Sequence, residues 1–136
     1  MQRTIGWFRN LKKWQKGGLI GCAVGVLFAC SMMLSLTLEL YLDSREAGDL
    51  GWWIIKLHGF LYFISEAIIP FRPFKWVIYG LAGIIVVVYG GYGAILGRFQ
   101  QLASPRVRWL LTGLSVLFLL FIYWFNFQVA MWLEHA

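Results

Sequence analysis

The chain is poor in the residues from which catalytic and metal sites are built: two cysteines, two histidines and six acidic residues in 136. Cys22 and Cys30 sit in one apolar run, and eight residues of helical rise hold them about 12 Å apart, beyond disulfide reach. No CxxC, HExxH or Cys/His cluster occurs, which argues against a structural zinc site. His58 and His135 leave no serine or cysteine with a matching base, and there is no GxxxxGK[ST] loop. The GGYG at Gly90–Gly93 lies inside an apolar run, where it cannot cradle phosphate. An enzyme is therefore not expected, and no metal is. Charge is scarce too, at 13% of residues, against 60% hydrophobic and 18% aromatic. A soluble domain of this length could not hide so much apolar surface.

What the chain has instead is three long apolar stretches, Gly18–Leu42, Trp76–Gly97 and Trp109–Leu133. Each exceeds the about 20 residues that cross a bilayer core at helical rise. The expected fold is all-α and integral to the membrane, a single domain with these as its transmembrane helices. The net charge of +6 is consistent with that placement rather than with nucleic acid. Arg3, Arg9, Lys12, Lys13 and Lys16 precede the first span, and Arg98, Arg106 and Arg108 fill one short loop. In the basic N-terminus, residues 1–17, Ile5, Phe8, Leu11 and Trp14 recur at spacing three, a pattern suited to a helix lying on anionic lipids. The first apolar run is about twice the length of a signal-peptide core and no A-x-A-like site follows it, so it reads as an uncleaved anchor.

The segment Leu50–Phe71 sets the topology. Apolar residues from Leu50 to Phe71 line one helical face, while Lys56, His58, Ser65 and Glu66 lie on the other. Its apolar residues contribute roughly −3 to −6 kcal/mol on the insertion scale, and Lys56 and Glu66 cost up to about 3 each. The balance is near zero. Three spans put eight Lys and Arg on the N-terminal side and four on the other, slightly better than a four-span arrangement. The expectation is three transmembrane helices plus one amphipathic interfacial or re-entrant helix, with four transmembrane helices as the alternative. Asp43, Glu46 and Asp49 make an acidic loop on the outer side. Pro70 and Pro73 stop the amphipathic helix, and Ser104–Pro105 opens the last span.

The middle span carries small residues at Gly80, Gly83, Gly90, Ala94 and Gly97 in a heptad seam, and the first span carries Gly21 and Gly25. Such seams let helix backbones approach in lipid, where no hydrophobic drive holds helices together. The partner of the seam is open: the first span, a second copy or another protein. Few groups could contact a ligand or ion: Glu39, Lys56, His58, Glu66 and Asn126. An intramembrane ionisable group is costly unless used. His58, in an aromatic setting, could ligate haem or chlorophyll, and Asn126 could border a quinone, but no cofactor is the expectation.

The reading reached is a non-catalytic accessory or assembly subunit of a larger membrane complex, partnered by other membrane proteins and by anionic lipid at its N-terminus. Its compartment is a bacterial inner membrane with the N-terminus cytoplasmic, or alternatively a mitochondrial inner membrane. The rivals are a small oligomeric carrier or channel, which would need a polar path, and a cofactor- or quinone-binding subunit of an electron-transfer complex.

Overall fold

The computed structural model describes residues 2–69 and 73–136, with side chains from residue 5 onward. The chain runs through six helices: α1 (Gln2–Asn10), α2 (Lys13–Leu42), α3 (Arg45–Leu57), α4 (Gly59–Ile68), α5 (Phe74–Phe99) and α6 (Pro105–His135). The described residues contain no strand. Three of the helices, α2, α5 and α6, are long and apolar enough to cross a membrane.

Helices α2 and α5 form the spine. They run antiparallel, with Gly97 at Lys13 and Trp14, Gly93 at Gly17, Tyr89 and Gly90 at Gly21, and Val86 at Gly25. A Cβ on Gly21 would run into the Tyr89 carbonyl, and one on Gly25 into the Val86 backbone. Gly17 and Gly93 face each other's carbonyls. Such an approach gains dispersion and weak C–H···O contacts of about 0.5–1 kcal/mol each.

The seam differs from the heptad drawn on the sequence. Gly90, Ala94 and Gly97 lie on α2, but Gly80 faces Ser65 of α4 and Ile69 just past its end, and nothing lies within 4 Å of a Cβ on Gly83. Val87, in the same heptad, is 73% exposed. A 3.5-residue row drifts about 20° per heptad on a straight helix. Followed from Gly97 to Gly80, the row leaves α2, and Val86 and Gly93 take the contact instead.

The acidic stretch after α2 is not an open loop. Only Asp43 and Ser44 lie between the helices, Asp43 in the left-handed conformation (φ 46°), which aspartate tolerates. Arg45–Asp49 already belongs to α3, whose small residues Gly48 and Gly51 close on Glu39, Leu36 and Met32 of α2. Ser35 fastens the pair, donating to the Ala47 carbonyl at 2.6 Å and accepting the Gly51 N–H at 3.0 Å.

The segment expected to be one continuous helix is two. It breaks at His58, and α4 turns back toward the end of the bundle from which α3 came. Both arms reach the ring of Phe74, Trp52 at 5.8 Å and Tyr62 at 6.5 Å between centroids. Ser65 is fully buried and donates to the Val77 carbonyl at 2.7 Å, tying α4 to the start of α5. Neither arm runs the length of the bundle, so four end-to-end helices do not describe this chain. Pro70, Phe71 and Arg72, at the close of that segment, lie outside the described residues.

The core forms where the hairpin meets the spine: Met32 from α2, Ile54 and Ile55 from α3, and Ile78, Leu81, Ile85 and Tyr89 from α5. Helix α6 contributes no buried residue. Its two exposed end tryptophans, Trp109 and Trp132, stand about 34 Å apart along the axis, close to the thickness of a bilayer core.

Gly21→Leu should separate α2 from α5 and cost about 3 kcal/mol or more, as a fall in melting temperature in detergent or a loss of folded yield. Gly83→Leu should stay within about 0.5 kcal/mol of the parent. Equal melting of the two variants would contradict the observed seam.

Candidate functional site

A helix that breaks inside an apolar bundle strands backbone carbonyls, each costing several kcal/mol where water is absent. The polar residues at the tip of the α3–α4 hairpin answer that need. His58 leaves helical geometry (φ −107°, ψ 26°), and its amide donates to the carbonyls of Ile54 and Ile55, each at 3.1 Å. The Ile54 carbonyl can only accept, so the Nδ1–H of His58 donates to it at 2.7 Å, and Nε2 of the neutral ring accepts from the Tyr89 hydroxyl at 2.9 Å. The Leu57 carbonyl accepts from Asn126 Nδ2 of α6 at 3.0 Å. Gly59 opens α4 directly against the Asn126 side chain.

The tip is walled by rings. Phe28 and Tyr123 meet the imidazole edge-on, with centroids at 5.5 and 5.6 Å, and Phe28 and Tyr89 lie 5.3 Å apart. His58 is 3% exposed. A small cavity of about 150 Å³ lies beside it, bounded by Val88, Leu119 and Ile122. Tyr89, Tyr123 and Ser35 were not singled out from the sequence, and Ser65 entered only as a member of the polar face of Leu50–Phe71. A tyrosine amid the glycines of a span was the available signal.

The other candidate residues are dispersed. Glu39 accepts from the indole N–H of Trp52 at 2.9 Å, near the end of α2. Lys56 pairs with Glu134 at 2.7 Å, both partly exposed, and its ammonium lies 5.9 Å from the Trp53 ring. Glu66 is exposed. Lys56 and Asn126 border one cavity of about 220 Å³, but Glu39 and Glu66 lie apart from it, so the four do not line a common path. Among the described residues, no three His, Cys, Asp or Glu side chains gather as a metal site.

A second feature lies at the opposite end of the bundle. A groove of about 580 Å³ runs between α2 and α5 and is bordered by Leu119 of α6. Its floor is Gly17, Gly21, Gly93 and Gly97, and Lys13, Lys16 and Gln100 stand at its outer end. The Tyr92 hydroxyl, from a residue on its wall, is buried and has no hydrogen-bond partner among the described residues.

Comparison with family models, curated proteins and solved structures finds no match.

Tyr89→Phe leaves Nε2 of His58 without its partner and should destabilise the bundle by about 1–2 kcal/mol. Asn126→Leu strands the Leu57 carbonyl and should loosen the tip as well. A cysteine at Gly59 should then react faster with a thiol probe in either variant. An unchanged labelling rate would mean the tip bonds do not hold the hairpin.

Proposed function

We propose that this protein is a non-catalytic subunit of a larger integral-membrane complex and that α6 is the helix by which it joins its partners. In this reading α2, α5 and α6 span the bilayer, and α3–α4 is a re-entrant hairpin that enters and leaves on one side. The N-terminus and the α5–α6 loop, which hold eight of the twelve basic residues, lie on the cytoplasmic side of a bacterial plasma membrane.

The observation that carries the proposal is the exposure of α6. All 31 of its residues escape burial, and its outer surface is aromatic and aliphatic, with Phe118, Phe121, Trp124 and Phe125 each more than half exposed. Aromatic side chains are the anchors most enriched at protein interfaces, because they cover large areas at small entropic cost. Where α2 and α5 satisfy their small-residue surfaces within the chain, α6 offers its large ones outward.

The distribution of polar groups supports the same reading over its rivals. A carrier or channel needs a polar path, whereas of the four candidate residues Lys56 and Asn126 border one cavity of about 220 Å³ lined otherwise by aliphatic and aromatic side chains and glycine, and Glu39 and Glu66 lie apart from it. A haem or chlorophyll on His58 would have to displace Tyr89, since both ring nitrogens already hold protein partners. The polar side chains at depth instead stabilise the hairpin.

Two measurements test this. Alkaline carbonate should leave the protein in the membrane fraction. In native mass spectrometry from its own membrane it should travel with larger, different subunits. Phe121→Ala combined with Phe125→Ala should release it, weakening association about tenfold or more, while leaving its own melting temperature in place. A protein that runs alone as a defined homo-oligomer would instead favour the carrier.

A further inference from the structure

We propose that the groove between α2 and α5 binds one anionic phospholipid, its acyl chain along the glycine floor and its phosphate at Lys13 and Lys16. Length, charge and closure point to this occupant. From Lys13 to Val24 the groove follows three turns of α2, about 16 Å at helical rise, which is the hydrocarbon depth of one leaflet of a roughly 30 Å core. Val24 and Tyr89 line its deep end, near the middle of the bundle. A spanning helix of a partner would need a surface running the full depth, whereas an acyl chain ends where this groove ends. Its volume, about 580 Å³, falls within the roughly 300–1,000 Å³ of clefts that hold small ligands.

Charge specifies the headgroup. Lys13 donates to the Gln100 carbonyl at 3.2 Å and Lys16 to the Arg9 carbonyl at 3.0 Å. Each ammonium has three protons, so both retain donors for a phosphate. Neither has a carboxylate partner among the described residues. All six acidic residues, from Glu39 to Glu134, belong to the other half of the bundle. Arg9, Lys12 and Arg98 add positive charge around the mouth, and Ile5, Trp7 and Phe8 of α1 are exposed beside it, as on a helix resting in the interface. The glycines thus serve two ends: they bring α2 and α5 together, and they leave a smooth channel that larger side chains would fill.

The full-length protein, purified in mild detergent, is to be equilibrated with equimolar phosphatidylglycerol and phosphatidylcholine and read by native mass spectrometry. One phosphatidylglycerol per chain should be retained in preference. Lys13→Gln or Lys16→Gln should lower the preference about fivefold each. Ile20→Trp, which fills the groove, should lower retention of both lipids. On the unaltered protein, a phosphatidylglycerol with a photoreactive acyl chain should label Ile20–Val24 and Leu96. Equal retention of the two lipids, or labelling spread over the outer face of α6, would overturn the proposal. It rests on the membrane reading above, and the two fail separately. Release of the protein by carbonate defeats that reading, whereas a membrane-bound protein that shows no lipid preference defeats only this one.

Discussion

The contact of two glycine-lined backbones, α2 against α5, fixes the register on which the rest of the molecule depends. With Gly21 seated on the Tyr89 carbonyl and Gly25 on Val86, Phe28 and Tyr89 come to the same depth on neighbouring helices. That pair of rings, joined by Tyr123, makes the receiving surface for His58. A one-residue slip of α5 would rotate Tyr89 away by about 100° and leave the hairpin tip with neither its ring contacts nor its hydrogen bond. The small residues therefore do more than hold two helices together, since they set where the large and polar ones meet.

The hairpin presents the converse problem. A chain that turns inside an apolar bundle must satisfy the carbonyls released at the turn, and two side chains from different parts of the sequence do so, His58 at the turn and Asn126 on α6, while Tyr89 on α5 holds the His58 ring. Ser35 and Ser65 perform the same service for the two arms, each bonding a backbone carbonyl of its neighbour. Polar residues at depth in this protein are thus largely occupied with main chain. That occupation explains why so few remain to form a site, and it moves attention to the surfaces, to α6 and the basic-rimmed groove.

The three long helices were legible because an apolar run of spanning length is costly to place anywhere but in a bilayer. Their ends extend a few residues past the apolar runs, as far as Lys13 and Pro105, because helix stops where capping and backbone geometry change rather than where polarity does. The break at His58 was not legible. Leu57, Phe60 and Leu61 continue the same helical periodicity across His58–Gly59, so the pattern carries no mark of a turn whose cause is tertiary. The near-zero insertion balance of Leu50–Phe71 was the available hint. Among the candidate site residues, Asn126 and Lys56 find their partners on other helices, Leu57 and Glu134, at separations no local pattern encodes. The bond of Glu39 to Trp52 likewise depends on α3 starting earlier than its apolar run.

The dependencies run in one direction. The spine of α2 and α5 stands on its own glycine contacts, the hairpin stands on the spine, and α6 stands largely on the hairpin. Its specific contacts are the stack of Phe127 on Trp53 at 5.2 Å, the Asn126 bond to Leu57 and the Glu134 pair with Lys56, all to α3. To the spine it offers the Gln100–Thr112 bond near its start, and to the hairpin tip the edge of Tyr123 against His58. An exposed salt bridge contributes little, so most of this attachment is one aromatic stack and one amide bond. A long helix held so lightly, with its aromatic face outward, is the least self-sufficient part of the chain. The same physics that makes α2 and α5 a closed pair leaves α6 the surface with most to gain from a neighbour.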